Sequence, residues 1–345
     1  MLKKILATSL TLASIVSASA QDSTKKVFPI AISGSVDAYY RYNFSDPKGA
    51  TNNLTSFTNS KNSFELGMAT LKLDHTIGKV SATADLGFGR RAAEFSYNDG
   101  GSLASVKQLY LSYAVSSKVK LTMGKWATHV GWELLDAVAN RNYSMSYGFS
   151  YGPFFHTGLK ADISLGGKTA LMVGVANPTD FSTTNSSTKF LIGQLSTGTK
   201  NDKFKAYLNY QGGSWPDGNL MQFDLVLQGT LSSKFGISYD GTIQSRKVAG
   251  STNSWSSNAI YLNYDPTAKF GLTLRGEYFS DTKNVLGINT SIFVPTLSAN
   301  FKVDNLTIIP EIRLDNAKDD LFLKKDGITG TKSTASFILA ATYKF

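Results

Sequence analysis

Residues 80–89 read VSATADLGFG. Val80, Ala82, Ala84, Leu86 and Phe88 fall on one side of an extended chain, and Ser81, Thr83, Asp85 and Gly87 fall on the other. Successive strand side chains point to opposite faces, so the pattern predicts a strand with apolar surroundings on one side and water on the other. Gly78-Lys79 turns the chain into it, and residues 64–77 form the strand before. One such hairpin would also suit a half-buried soluble sheet. Length and repetition separate the two. Ile30, Ile32, Gly34, Val36, Ala38, Tyr40 and Tyr42 line one face of an earlier strand, opposite Ser33, Ser35, Asp37, Tyr39, Arg41 and Asn43. That run is well beyond the roughly five or six residues of an ordinary strand.

The rhythm continues along the chain. Strands are expected at 106–115, 119–124, from Phe155 onward, and at 169–176, 189–197, 204–211, 221–231, 235–245, 259–264, 270–280, 291–303 and 306–314, with Asp265-Pro266 opening a turn. The last strand puts Ala335, Phe337, Leu339, Ala341, Tyr343 and Phe345 on one face. The stretches 169–176 and 189–197 alternate poorly, and their faces cannot be assigned. The connections alternate as well. Gly78-Lys79, Ser116-Ser117-Lys118, Gly166-Gly167-Lys168, Ser232-Ser233-Lys234 and Asp304-Asn305 are short, whereas the intervening ones are long and rich in Asn, Ser, Thr and Gly. A soluble sandwich has no reason to sort its loops by length. A barrel inserted from one side does, with short turns in the periplasm and long loops outside. Hydrocarbon offers no partner to backbone N–H and C=O groups, so strands cross it only as a closed sheet. The expected fold is all-β: a transmembrane antiparallel β-barrel of about sixteen strands, wide enough for an aqueous lumen.

Composition fits this reading. Lys3 and Lys4, the apolar stretch 5–16 and Ala18-Ser19-Ala20 have the form of a cleaved export signal over residues 1–20, leaving 21–345 as one barrel domain. After it, no stretch is apolar for long enough to form a spanning helix. The mean hydropathy of −0.12 suits strands of which one face is wet. The formal net charge of +10 would suggest an anionic polymer. However, Lys79, Lys118, Lys168, Lys200, Lys203, Lys234 and Lys269 all stand in short turns, as a solvated rim rather than a nucleic-acid patch. The chain has no cysteine, which excludes disulfides and thiolate chemistry.

One stretch breaks the rhythm. Residues 124–158 read GKWATHVGWELLDAVANRNYSMSYGFSYGPFFHTG. Leu134, Leu135 and Val138 fall on one side at helical spacing, opposite Glu133, Asp136 and Asn140, so residues 132–141 are expected to form a short helix. A long ordered loop among short hairpins is usually functional, and here 127–153 is expected to fold into the barrel mouth and narrow it. The alternative is a loop lying outside on the surface. The polar strand faces would line water with Asp37, Asp85, Asp224, Asp240, Glu277, Glu311, Arg275 and Arg313 among others, the two signs nearly balanced. A constriction of Glu133, Asp136, Asn140 and Arg141 is expected to face Arg41, Lys72 and Arg91 across the lumen and to set a transverse field. The three histidines, His75, His129 and His156, have no metal-ligand spacing, and no nucleophile elbow or phosphate-cradling glycine motif is present. Neither catalysis nor a metal or cofactor is expected. His156 is expected to bond the inward loop near Asn140 or Tyr143.

Gly124-Lys125-Trp126, Gly131-Trp132-Glu133, Asn140-Arg141-Asn142-Tyr143-Ser144 and Pro153-Phe154-Phe155-His156-Thr157-Gly158 resemble the hallmark of the Putative beta-barrel porin-2 (OmpL-like) family. The resemblance implies an outer-membrane porin and leaves its solute open. The chain is similar, more distantly, to general porins, which fold the loop between strands five and six into the channel and assemble as trimers. The resemblance also implies surroundings of outer-membrane lipid and lipopolysaccharide, and a C-terminal Tyr343-Lys344-Phe345 read by the barrel-assembly machinery. Three functions fit: passive diffusion of small hydrophilic solutes, a channel specific for a sugar, peptide or anion with Trp126, Trp132 and Tyr143 as stacking surface, or a surface-interaction barrel with an occluded lumen.

Overall fold

A computed structural model describes residues 29–215 and 218–345, with only the backbone of Trp215. The expected leader, 1–20, lies outside these residues. The strands are β1 (Ala31–Asn43), β2 (Ser63–Ile77), β3 (Val80–Phe88), β4 (Val106–Ala114), β5 (Val119–Ala127), β6 (Phe155–Gly166), β7 (Thr169–Ala176), β8 (Phe190–Gly198) and β9 (Phe204–Trp215). They continue as β10 (Gly218–Thr230), β11 (Phe235–Val248), β12 (Ser251–Thr267), β13 (Phe270–Ser280), β14 (Ser291–Val303) and β15 (Leu306–Ala317). The short pair β16 (Phe322–Leu323) and β17 (Gly330–Thr331) comes next, and β18 (Ser333–Lys344) is last. β1–β15 and β18 form one closed antiparallel barrel in chain order, while β16 and β17 pair with each other inside the last long connection.

Closure is made between the chain ends. β1 pairs with both β2 and β18. Phe345 and Gly34 exchange two backbone hydrogen bonds of 3.0 Å each. A Cβ at Gly34 would lie 2.5 Å from the Phe345 ring and 2.4 Å from the Thr70 carbonyl oxygen, so only glycine lets the terminal ring lie over the strand.

The wall keeps the period-two division. On β13, Thr273, Arg275, Glu277 and Phe279 point inward and are buried, while Leu274 and Tyr278 are exposed on the outside. Outward Phe293 and Phe301 stand eight positions apart on β14, as Phe270 and Tyr278 do on β13. At about 3.4 Å per residue and a tilt of about 40°, these rings bracket a band of roughly 20 Å, close to the apolar height of an outer-membrane barrel.

Two expectations are corrected. Asp265-Pro266 opens no turn: β12 runs on to Thr267 through an irregularity between Tyr264 and Thr267. The blurred stretches are β7 and β8, and their faces can now be assigned. Met172, Ala176, Phe190 and Ile192 are buried inside, and Val173, Val175, Leu191 and Leu195 are exposed outside. Both faces are apolar because Met172, Ala176 and Ile192 pack on Trp126, which abolishes alternation in hydropathy while leaving it in geometry.

Candidate functional site

The connection between β5 and β6 carries the polar geometry. Irregular backbone removed from water must find partners for its N–H and C=O groups. Here the inward carboxylates of the barrel supply them. Gly131 donates its amide to Asp224 (3.0 Å) and Trp132 to Asp240 (2.9 Å). Tyr143 and Ser144 both donate to Glu311 (2.7 and 3.0 Å), and Tyr147 and Gly148 to Glu277 (3.0 and 2.8 Å). The carbonyls meet arginines: Arg275 donates to the Ser144 oxygen (2.8 Å), Arg313 to that of Met145 (2.6 Å) and Arg91 to that of Leu135 (3.1 Å). The inward charges expected to line water thus hold a segment of chain in place.

No helix forms at 132–141. The only helical turn there is a 3₁₀ turn, Ala137–Ala139. Its place is taken by long-range bonds and by Asn140, whose side-chain amide accepts from the Leu134 N–H (2.9 Å) and donates to the Leu134 carbonyl (2.5 Å). A short α-helix appears later, α1 (Tyr147–Tyr151), with Ser146 at its N-cap accepting from Phe149.

Glu133 and Asp136 are tied to different walls. Glu133 is buried, with one oxygen 2.5 Å from Arg275 and 3.1 Å from the Tyr261 hydroxyl, and the other accepting from the amide and hydroxyl of Ser146 (2.7 and 2.9 Å). Asp136 accepts from Lys107 (2.7 Å), which also donates to Asp85 (3.1 Å). Tyr261 lies on β12, Arg275 on β13 and Lys107 on β4. In the closed order β12 and β4 are half a circuit apart. Three residue steps reach at most about 11 Å, so the long side chains of Arg275 and Lys107 complete the link between the two walls. Beyond it, Arg141 makes a two-pronged bond to Asp265 (2.9 and 3.0 Å) and reaches Thr273 (2.6 Å), at the short-turn end of β12 and β13.

The other residues singled out from sequence are placed as follows. Arg41 donates to the carbonyls of Ser60 (2.6 Å) and Thr51 (3.0 Å) in the first long connection, and Lys72 pairs with Asp74 at 3.0 Å. Arg91 is fully buried between the rings of Phe57 and Tyr143, each 5.0 Å away, with Asp37 at 4.0 Å. Glu133 and Asp136 therefore have Arg275 and Lys107 as their partners, not Arg41, Lys72 or Arg91. Asn142 donates to Ser298 (2.6 Å). The Tyr143 hydroxyl donates to Asp37 (2.5 Å), and burial holds that phenol well above its ordinary range. Lys125 pairs with Asp99 (2.8 Å) and sits 3.8 Å from the centre of the Phe155 ring. Gly124 pairs with Gly158; at φ +135°, with the Leu109 carbonyl 2.2 Å from where a Cβ would stand, position 124 requires glycine. The Thr157 carbonyl accepts from Asn177 (2.8 Å). His156 bonds Thr128 (3.2 Å) and lies against the tilted ring of His129 at 4.9 Å, rather than meeting Asn140 or Tyr143.

Sequence reasoning missed Lys107 and Asp180. Lys107 is the extra residue of a register shift opposite Asp85 and Leu86, and two adjacent polar residues, Lys107-Gln108, are the trace such a bulge leaves. Asp180 accepts from the amides of Phe154 (2.7 Å) and Phe155 (3.0 Å) and fixes the way out of the segment. An apolar cluster that includes Phe57, Phe95, Leu135, Met145, Phe149 and Phe154 fills the space under the long connections. A cavity of about 660 Å³ lies at the long-loop end, bordered by Tyr97, Tyr151 and Arg246. A smaller one of about 110 Å³ lies beside Trp132, Arg141 and Tyr261.

The family model described as "Putative beta-barrel porin-2, OmpL-like" matches residues 29–345. Similar solved structures include the outer membrane channel DcaP of Acinetobacter baumannii (13% identity, TM-score 0.63, 92% of this chain and 97% of that one). The trimer form of OmpT from Vibrio cholerae gives 11%, 0.62, 93% and 100%. The anion-selective porin from Comamonas acidovorans gives 10%, 0.60, 92% and 100%. No curated protein matches the chain in sequence. At these identities the structural likeness carries the fold alone.

Proposed function

The chain belongs to the Putative beta-barrel porin-2, OmpL-like family of outer-membrane porins, and from that premise we propose that it passes small hydrophilic solutes through a lumen narrowed by residues 128–154. The observation that carries this is the link from Glu133 to Arg275 on one wall and from Asp136 to Lys107 on the other. Solutes pass beside this crossing, and its charges set the field they meet. The apolar cluster under the long connections favours a lower conductance than an unobstructed barrel of this size. Residues 21–345 act as one barrel after removal of a leader ending at Ala20. Tyr343-Lys344-Phe345 is read by the assembly machinery, the outer leaflet supplies lipopolysaccharide, and copies associate as a homotrimer, the state in which the similar OmpT has been solved. Catalysis and cofactors have no part in it.

Planar-bilayer recording tests the reading. Asp136→Asn frees one end of the crossing while Lys107 keeps Asp85. Its single-channel conductance is expected to rise about twofold, with altered cation-to-anion preference. An unchanged conductance in a correctly folded variant removes the constriction. A wild type that passes no current at all favours the occluded, surface-interaction barrel instead.

A further inference from the structure

The cavity at the long-loop end has the chemistry of a binding site. Its volume, about 660 Å³, falls within the roughly 300–1,000 Å³ usual for small-molecule sites. Its acids are already committed. Glu94 accepts from the Phe57 amide (2.7 Å) and Asn59 (2.8 Å) and pairs with Arg90 (3.3 Å). Asp180 holds the Phe154 and Phe155 amides and accepts from the Tyr97 hydroxyl (3.1 Å). Arg246 differs. Its Nε donates to Gln244 at 2.9 Å, and among the described residues its guanidinium makes no ion pair. A half-buried cation with free terminal N–H donors is suited to a carboxylate, which the planar fork takes in two-pronged fashion. Around it stand an exposed aromatic face, Tyr97, set edge-on to Phe154, and the buried, unpartnered hydroxyl of Thr179. An aromatic face meets the C–H side of a pyranose ring, and amides and hydroxyls meet its oxygens.

We propose that this cavity binds a carboxylate-bearing sugar, a uronate, with Arg246 holding the carboxylate and Tyr97 the ring. The proposal rests on the porin reading and names the solute class that collects at the outer mouth.

The native chain contains a reporter. Trp255 Nε1 donates to the same Gln244 oxygen that accepts from Arg246, at 3.1 Å. The full mature protein, purified in detergent, is titrated with glucuronate and with glucose, which differ at one carbon, while tryptophan emission is followed. Glucuronate is expected to bind at least about tenfold more tightly than glucose. Arg246→Gln is expected to erase that difference, and Arg246→Lys to keep part of it. Equal affinity for the two sugars, or an undiminished preference in a folded Arg246→Gln, overturns the proposal. Conductance of the same preparation is recorded in parallel. A conducting protein that does not discriminate refutes the uronate site alone; one that discriminates but does not conduct refutes the porin reading alone.

Discussion

Single side chains decide how firmly the inner segment is seated. Glu133 and Asp136 look equivalent in sequence, but their environments differ. Glu133 and Arg275 are both buried, and removing one charge of a buried pair leaves the other uncompensated, at about 3–5 kcal/mol. Asp136 is one-third exposed, and its partner Lys107 retains Asp85, so a cost of about 1 kcal/mol or less is expected. Urea unfolding in lipid vesicles should therefore show a large loss of stability for Glu133→Gln and a small one for Asp136→Asn. His129 adds a dependence on pH. Its Nε2 donates to the Tyr210 carbonyl at 3.1 Å, and burial holds its pKa at about 4, with Lys160 nearby opposing a further charge. The unfolded chain binds that proton at about 6.5, so the stability from neutral His129 is present above about 6.5 and is lost as pH falls towards about 4. Asp180 acts in the opposite sense. Burial raises its pKa to about 6, so its contribution falls as pH rises through about 6. The comparison must therefore be with His129→Gln: protection of the 128–154 amides, taken relative to the intrinsic exchange rate at each pH, should fall between about pH 7 and pH 4.5 more steeply in wild type than in the variant.

At the level of elements, the strands and the bounds of the inner segment are legible in the sequence, but the internal course of that segment is not, and the reason is the range of the interactions. β3 announces itself because its alternation is local, and β13 and β14 lie where their pattern places them. The expected helix at 132–141 has the helical spacing of apolar residues but loses to Asp240 and Arg275, partners about a hundred residues and more away, which no window reveals. β7 and β8 were opaque because their inner face is greasy too. One seam is weakened by chemistry readable in the sequence. Pro295 on β14 and Pro310 on β15 have no N–H, and pairing between these strands lapses after Phe293↔Asn316 and resumes at Thr296↔Arg313. Amides along β14–β15 are expected to exchange at least about tenfold faster than those along β12–β13, and Pro310→Val, on the outward face, is expected to slow them. Equal rates in the two seams would contradict this.

For the whole molecule, the inner segment is part of the scaffold. A barrel of sixteen strands can stand around an empty lumen, but this one has its inward acids and arginines matched to the amides and carbonyls of 128–154. Removing the segment would leave Asp224, Asp240, Glu277 and Glu311 without those partners. Tyr143 carries the consequence furthest. Its amide is held by Glu311 on β15 and its hydroxyl by Asp37 on β1, the two strands that flank β18. One residue therefore staples the two edges between which the final strand must slot. The segment is expected to act as a jig that holds these two edges at the spacing ring closure needs. A chain lacking 128–154 should then stall as an unclosed, protease-sensitive sheet in vesicle-refolding assays, instead of yielding a wider hole.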